Sequence, residues 1–145
     1  MRQHRICGDM VKKMIKGLKH VGIAVCNIDE TLQVFENTLG LKHEKTLTLD
    51  ERKLKIALLD LGETKIELLE PMDKEGTIAK FLANRGEGIH HIALRVTEIE
   101  KMLEQLKKQG VTLIDEKPRK GAEGGKVAFI HPKSTKGVLI ELCEP

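Results

Sequence analysis

The chain has 145 residues, of which 40% are hydrophobic, enough for one compact domain or two small halves that share a core. Its net charge of +3 is mild, charges of both signs alternate along the chain, and Trp and Tyr are absent, so nucleic acid is not expected as a partner. No apolar run is long enough to span a membrane, so no membrane partner is expected either. Residues 1–15 predict a flexible extension, and three cysteines without CxxC spacing favour the reducing cytoplasm.

An internal repeat dominates the patterned part of the chain. Residues 18–25 align without a gap with residues 89–96, and both segments alternate apolar side chains as half-buried strands do. A helix is predicted after each strand, capped by Asn27 in the first copy and by Thr97 in the second. Gly40 and Gly110 are expected to end these helices, at equal distances from the two caps.

Three short strands complete each copy of the repeat. The predicted ranges are 41–49, 54–61 and 64–70 in the first copy, and 111–116, 126–131 and 137–143 in the second. A linker at 72–88 is expected to contain a short helix over residues 77–85. The prediction is therefore an α+β fold with two βαβββ modules in tandem, at 16–71 and 89–145, whose sheet curves around a metal site.

The repeat places one histidine and one glutamate of each module on the sheet face turned away from the helices. These residues are His20 and Glu67 in the first module, and His91 and Glu141 in the second. Any one such histidine is more often a hydrogen-bonded structural residue than a ligand. Matching positions in both modules favour one divalent ion instead, and this donor set suits Zn, Co, Ni, Mn or Fe without choosing among them.

Other polar residues are given less weight. Alternation predicts that His90 points away from His91, as a structural residue or a support for it. Lys133 and Ser134 lie in a polar turn that could also present cationic and hydroxyl groups to an anionic substrate. Cys143 shares a face with Glu141 and is interpreted as a packing residue.

Several motifs carry a family resemblance. Residues 85–93 (RGEGIHHIA), residues 114–119 (IDEKPR), and residues 131–134 (HPKS) leading into residues 137–142 (GVLIEL) resemble the methylmalonyl-CoA epimerases of the vicinal oxygen chelate superfamily. The likeness extends over residues 16–145. It implies that His20, His91 and Glu141 bind the metal, with Glu67 at a position where some epimerases have Gln. It also implies a homodimer and a coenzyme A thioester as substrate.

The chain departs from this family at one position. Some epimerases carry a catalytic Glu on the third strand, where this chain has Ile56. Glu141 and Glu67 are therefore the predicted acid-base pair, interconverting (2R)- and (2S)-methylmalonyl-CoA by removing and returning the α-proton through a metal-stabilised enolate.

Two alternatives stay open. One is a glyoxalase I, because bacterial forms use two His and two Glu, a ligand set that resembles this one. The other is a non-catalytic small-molecule-binding protein of the same superfamily, although such proteins commonly lack the metal ligands that this chain retains.

Overall fold

The computed structural model describes residues 11–145, so most of the predicted flexible extension lies outside the described residues. Residues 11–14 are helical, and the Met14 side chain is only 5% exposed. Because Met14 packs in a hydrophobic core, the predicted flexible extension does not include this residue. No helix in the described part of the chain is long and apolar enough to cross a membrane.

The secondary structure follows the same order twice. The first copy comprises β1 (Ile15–Ala24), α1 (Ile28–Leu32, continued by a π-helical segment at Gln33–Thr38), β2 (Lys42–Leu49), β3 (Leu54–Asp60) and β4 (Lys65–Pro71). A single helix, α2 (Thr77–Arg85), separates the copies. The second copy comprises β5 (Gly88–Val96), α3 (Ile99–Lys108), β6 (Arg119–Lys120), β7 (Lys126–Ile130) and β8 (Ile140–Glu144). The predicted α+β fold with two βαβββ modules in tandem is confirmed.

The chain divides into two compact units. The first unit is His20–His91, and the second combines the described residues up to Lys19 with Ile92–Pro145. The hydrogen-bonded strand order is β2-β3-β4-β1 in the first copy and β5-β8-β7-β6 in the second, with β1–β4 and β5–β8 parallel. These units are defined by contacts, whereas the modules are defined by the sequence repeat. We propose that the modules span residues 16–71 and 89–145, with the linker at 72–88 between them.

Each unit buries one face of its sheet against its helix. In the first unit, Ile28 of α1 packs against Ala57, Leu59 and Leu68 from β3 and β4. In the second unit, α3 packs against the sheet in the same way. Its Ile99, Met102 and Leu103 form a core with Val96, Ala128 and Leu142 of the strands. Because strand side chains alternate, the residues between these core positions lie on the opposite face, which is where the predicted site residues belong.

The helix termini only partly match the sequence predictions. Asn27 caps α1 and accepts a hydrogen bond from the Glu30 backbone N–H, as predicted. The prediction for α3 was wrong, because its N-cap is Glu98 rather than Thr97. The Glu144 carboxylate, on β8, accepts from the Ile99 N–H at 2.8 Å, so the strand supplies the acceptor that Thr97 was expected to provide.

The ends of both main helices and the helix of the linker were predicted well. Gly40 and Gly110 adopt φ values of 77° and 82°, the left-handed conformation that ends a helix at little cost only with glycine. The linker helix occupies Thr77–Arg85, as expected.

One strand prediction was wrong. The predicted strand over 111–116 is reduced to a single bridge between Leu113 and Ile130, and the short strand β6 forms at Arg119–Lys120 instead. Asp115 explains the interruption, because its carboxylate accepts from the Phe129 backbone N–H at 2.9 Å and takes up a donor that a strand partner would use.

Candidate metal centre

Three of the four predicted ligands come together in the first unit. The ligand atoms of His20, Glu67 and His91 all lie within 4.8 Å of one another. The His20 Nε2 is 3.0 Å from the His91 Nε2 and 3.1 Å from the Glu67 Oε2. Glu141 lies on β8 in the second unit, and its participation stays a prediction.

The spacing and burial of the three side chains fit a divalent cation. Two donors bound about 2.1 Å from one ion, at right angles, are separated by about 3 Å. His20, Glu67 and His91 are only 5%, 9% and 4% exposed. A buried carboxylate facing two imidazoles is costly unless a cation or proton compensates it, and a divalent ion would do so while using all three groups.

The site face of the sheet is apolar around Glu67. In the strand register, Glu67 is opposite Leu58 of β3, and its neighbour Leu69 is opposite Ile56. All three apolar side chains are nearly fully buried, with exposures between 1% and 2%. Ile56 therefore adds to a low-dielectric wall beside Glu67, where charge interactions with the carboxylate are strengthened.

Gly22 provides the room that His91 occupies. It lies opposite Glu67 in the β1–β4 register, on the site face. A Cβ atom at this position would lie 2.5 Å from the His91 Nδ1 and 2.8 Å from its Nε2, and closer still to the ring carbon between them. The absence of a side chain at Gly22 thus leaves space on this face, and the imidazole of His91 fills that space.

His90 contacts His91 directly, although alternation along the strand predicted that it would point away. The Nδ1 atoms of the two rings are 2.9 Å apart. The His90 ring also meets the edge of Phe81, with ring centroids 5.0 Å apart and ring planes at 82°. A pair of adjacent histidines is the only sequence signal for this contact.

Glu141 occupies the place in the second copy that Glu67 occupies in the first. Glu67 is opposite Gly22 in the parallel pair and Leu58 in the antiparallel pair. Glu141 is opposite Ala93 and Phe129 in the corresponding pairs. Because Gly22 and Ala93 are themselves repeat equivalents, the two carboxylates have the same register in their own sheets.

A thiol contacts the Glu141 carboxylate. The Cys143 Sγ donates to the Glu141 Oε1 at 3.1 Å, and both side chains are buried. Cys143 also packs against Ala93 and Val127, as a packing residue would. Strand alternation predicts that the two residues share one face, but it does not predict the hydrogen bond between them.

The predicted substrate-binding residues lie in an exposed turn of the second unit. Lys133 and Ser134 belong to a short 3-10 helix at Pro132–Ser134 that follows β7. The Ser134 Oγ accepts from the Thr112 backbone N–H at 2.9 Å, which fastens the turn to the segment after α3. Their contact with a substrate stays a prediction.

The chain is similar in sequence to known proteins. Residues 19–129 match the family model of the glyoxalase/bleomycin resistance protein/dioxygenase superfamily. The mitochondrial methylmalonyl-CoA epimerase of Homo sapiens is 37% identical over 86% of this chain and 72% of its own length. The uncharacterised protein YqjC of Bacillus subtilis is 44% identical over 88% of this chain and 91% of its own.

Solved structures with the same fold include two epimerases. The methylmalonyl-CoA epimerase of Mycobacterium tuberculosis superposes with a TM-score of 0.85 at 40% identity, covering 91% of this chain and 89% of its own. A Streptomyces coelicolor methylmalonyl-CoA epimerase variant in complex with 2-nitronate-propionyl-CoA has a TM-score of 0.84 at 31% identity, covering 90% and 97%.

Proposed function

Because this chain belongs to the methylmalonyl-CoA epimerases of the glyoxalase/bleomycin resistance protein/dioxygenase superfamily, we propose that it is a metal-dependent enzyme that interconverts (2R)- and (2S)-methylmalonyl-CoA. The observation that carries this proposal is the buried cluster of His20, Glu67 and His91. A fold alone does not define an activity, and this cluster supplies the chemistry that the family's reaction needs.

We propose Glu141 as the fourth metal ligand. Its support is the matched register of Glu67 and Glu141, each mid-strand and each on the face opposite its helix core. A divalent ion held by these residues would act as a Lewis acid on the carbonyl oxygens of the substrate. Its identity is open among Co, Ni, Zn, Mn and Fe, since all accept imidazole and carboxylate ligands.

The proposed acid-base groups are Glu141 and Glu67. Inversion at a carbon between two carbonyls requires that a proton leave from one face and return on the other, so two groups are needed. On β3, the residues opposite Glu67 and Leu69 are Leu58 and Ile56, so neither position next to Glu67 on this strand carries a carboxylate. Glu67 is the remaining acid on the site face of β4, and Glu141 is its equivalent on β8.

The proposed substrate is a coenzyme A thioester, a ligand class supported by the complex of the Streptomyces coelicolor epimerase variant with 2-nitronate-propionyl-CoA. We assign Lys133 and Ser134 to its binding, because an exposed ammonium and a hydroxyl in one fixed turn suit an anionic group. We also propose a homodimer, supported by large exposed apolar side chains such as Ile89, which is 65% exposed. A cytoplasmic location is supported by the three cysteines of the sequence, which cannot all pair with one another and show no CxxC spacing.

Two assays on the metal-loaded protein test the proposed activity. One follows epimerisation of methylmalonyl-CoA, and the other follows isomerisation of the hemithioacetal of methylglyoxal and glutathione. We expect turnover in the first assay only. Turnover of the hemithioacetal alone would assign the chain to the glyoxalase I activity, whose bacterial ligand set of two His and two Glu favours that alternative.

A Glu141→Gln variant extends the same experiment to the chemical step. The amide keeps an oxygen donor but cannot take the α-proton, so exchange of that proton with deuterated solvent should fall by about 10²–10⁴-fold at normal metal content. Glu116→Gln is the matched control, because Glu116 is an exposed acid of the same unit that pairs with Lys107. Undiminished exchange in Glu141→Gln would remove Glu141 from the acid-base pair.

A further inference from the structure

We propose that His90 is a positioning residue that fixes the imidazole of His91 for metal binding, and that the linker helix α2 supports it through Phe81. This inference rests on the metal site of the proposed function. It concerns how the site is built, and it adds a residue that is not itself one of the four proposed ligands.

The contact between the two rings determines where one proton lies. Two ring nitrogens 2.9 Å apart form a hydrogen bond only when one of them carries a proton and the other presents a lone pair. The His91 Nε2 faces the His20 Nε2, so it is the atom that would bind the ion, through its own lone pair. The proton of neutral His91 then lies on Nδ1, which donates to the Nδ1 of His90.

His90 therefore selects the metal-binding tautomer of His91. As an acceptor at Nδ1, neutral His90 carries its own proton on Nε2. A hydrogen bond from the far nitrogen of a ligating histidine holds the ring in orientation and makes the metal-bound nitrogen more basic. Gly22 also lies against this ring, because a Cβ atom there would come within 2.8 Å of both ring nitrogens, so the space beside Gly22 fits the imidazole and little else.

The His90 ring is itself held by α2. The edge-to-face contact with Phe81 fixes the plane of the His90 ring, and the Arg85 guanidinium lies 5.6 Å from the Phe81 ring centroid. Edge-to-face aromatic pairs contribute about 0.5–1.5 kcal/mol beyond the area they bury. The helix that separates the two copies of the repeat thus has a direct contact path to a ligand, through Phe81 and His90 to His91.

The experiment compares two substitutions of His90 in the full chain. His90→Leu fills similar space beside Phe81 but offers no acceptor, whereas His90→Asn places an amide oxygen near the position of Nδ1. We expect His90→Leu to raise the dissociation constant for Co²⁺ by about 10–100-fold, measured by competition with a chromophoric chelator, and His90→Asn to keep most of the affinity. The visible spectrum of the bound Co²⁺ should change in His90→Leu and stay near that of the unsubstituted protein in His90→Asn.

A control variant and a folding measurement accompany the comparison. His43→Leu removes a histidine that contacts Thr46 and Glu36 away from the cluster, and it should leave Co²⁺ affinity unchanged. Thermal unfolding of the metal-free variants shows whether each one folds. Equal affinity in His90→Leu and the unsubstituted protein overturns the inference, and so does an equal loss in His90→Leu and His90→Asn, which would indicate packing alone.

The same measurement separates this inference from the proposed function. If the unsubstituted protein binds no Co²⁺, the metal site and the role of His90 both fail. If it binds Co²⁺ with the expected response to the two variants but has no epimerase activity, only the proposed activity fails.

Discussion

Gly22 shows how one missing side chain shapes the site. Gly22→Ala would place a methyl group within 2.8 Å of both ring nitrogens of His91, and a shift of the ring would disturb its contact with His90. We expect turnover to fall by about 100-fold, because a displacement of about 1 Å of a group in an active site can reduce the rate by that factor. Steady-state kinetics and Co²⁺ affinity measured on the same preparation check this prediction.

Gly88→Ala is the matched control for this substitution. Gly88 is also a strand glycine of the first unit, and a Cβ atom there would meet nothing within 4 Å. Turnover of Gly88→Ala should match that of the unsubstituted protein. If both alanine variants lose activity equally, the effect belongs to the strand backbone and not to the space beside His91.

Single residues also mark where sequence reasoning succeeds and where it stops. His20, Glu67 and His91 could be selected because strand alternation and the repeat both placed them on one face, and the structure brings them together. The contact between His90 and His91 could not be selected, because alternation predicts opposite directions for neighbours. The side-chain torsions that join the two rings depend on Phe81, which is nine residues away in sequence and on another element.

At the scale of elements, each helix starts against a carboxylate from the last strand of its own copy. The Glu70 Oε1 accepts from the Ile28 N–H at 2.9 Å, and the Glu144 Oε2 accepts from the Ile99 N–H at 2.8 Å. A negative charge at a helix N-terminus also interacts favourably with the helix dipole. The α3 helix depends more on its carboxylate, because Glu98 makes no side-chain capping bond.

We therefore expect Glu144→Ala to destabilise the protein by about 1 kcal/mol, within the range of about 0.5–2 kcal/mol for loss of a capping acceptor. Urea unfolding measures this change as a lower midpoint with an unchanged slope. Glu104→Ala is the control, since Glu104 is an exposed residue on the same helix and alanine favours helix. A Glu144→Ala variant as stable as Glu104→Ala would contradict the capping role.

The strand predicted over residues 111–116 is absent for a physical reason that also concerns the pairing of elements. Residues 111–116 contain the apolar alternation of a strand, but Asp115 uses its carboxylate for the Phe129 backbone and for Arg119, 3.0 Å away. Side chains that compete for backbone donors act against strand pairing, and this competition depends on a partner that sequence alone does not identify.

At the scale of the whole molecule, metal binding is expected to stabilise the folded chain. The unfolded chain cannot hold His20, Glu67 and His91 within bonding distance of one ion, so the ion binds the native state preferentially. At a metal concentration 100-fold above the dissociation constant, the free energy of unfolding increases by about 2.7 kcal/mol. Each kcal/mol raises the unfolding midpoint temperature of a chain of this size by about 2–4 °C.

Calorimetry with Co²⁺ and with excess chelator measures this shift. His20→Ala removes one of the three clustered ligands and should lose most of the gain. An increase in the His20→Ala variant equal to that in the unsubstituted protein would show that the ion stabilises the chain from another place.

The repeat explains why so much of the fold was predictable from the sequence. The order of helices and strands along the chain, the helix ends at Gly40 and Gly110, and the linker helix at Thr77–Arg85 follow from local patterns that occur twice or are bounded by glycine. The α3 cap was not predictable, because its acceptor Glu144 is forty-five residues away along the chain. Local capping residues are visible in a sequence, whereas acceptors brought by the sheet are not.

Two strands each carry two glutamates three residues apart, Glu67 and Glu70 on β4 and Glu141 and Glu144 on β8. This spacing has a consequence for the register in which each strand can join the sheet. Residues three apart on a strand point to opposite faces, so each strand places one carboxylate on the face turned away from its helix and the other at a helix start. If β4 or β8 joined the sheet one residue out of register, its two carboxylates would exchange faces. The carboxylate that faces away from the helix would then be buried against the helix core, and the helix N-terminus would lose its hydrogen-bond acceptor. A misaligned strand would therefore lose stability in two ways, and the two glutamates of each strand together favour the native register.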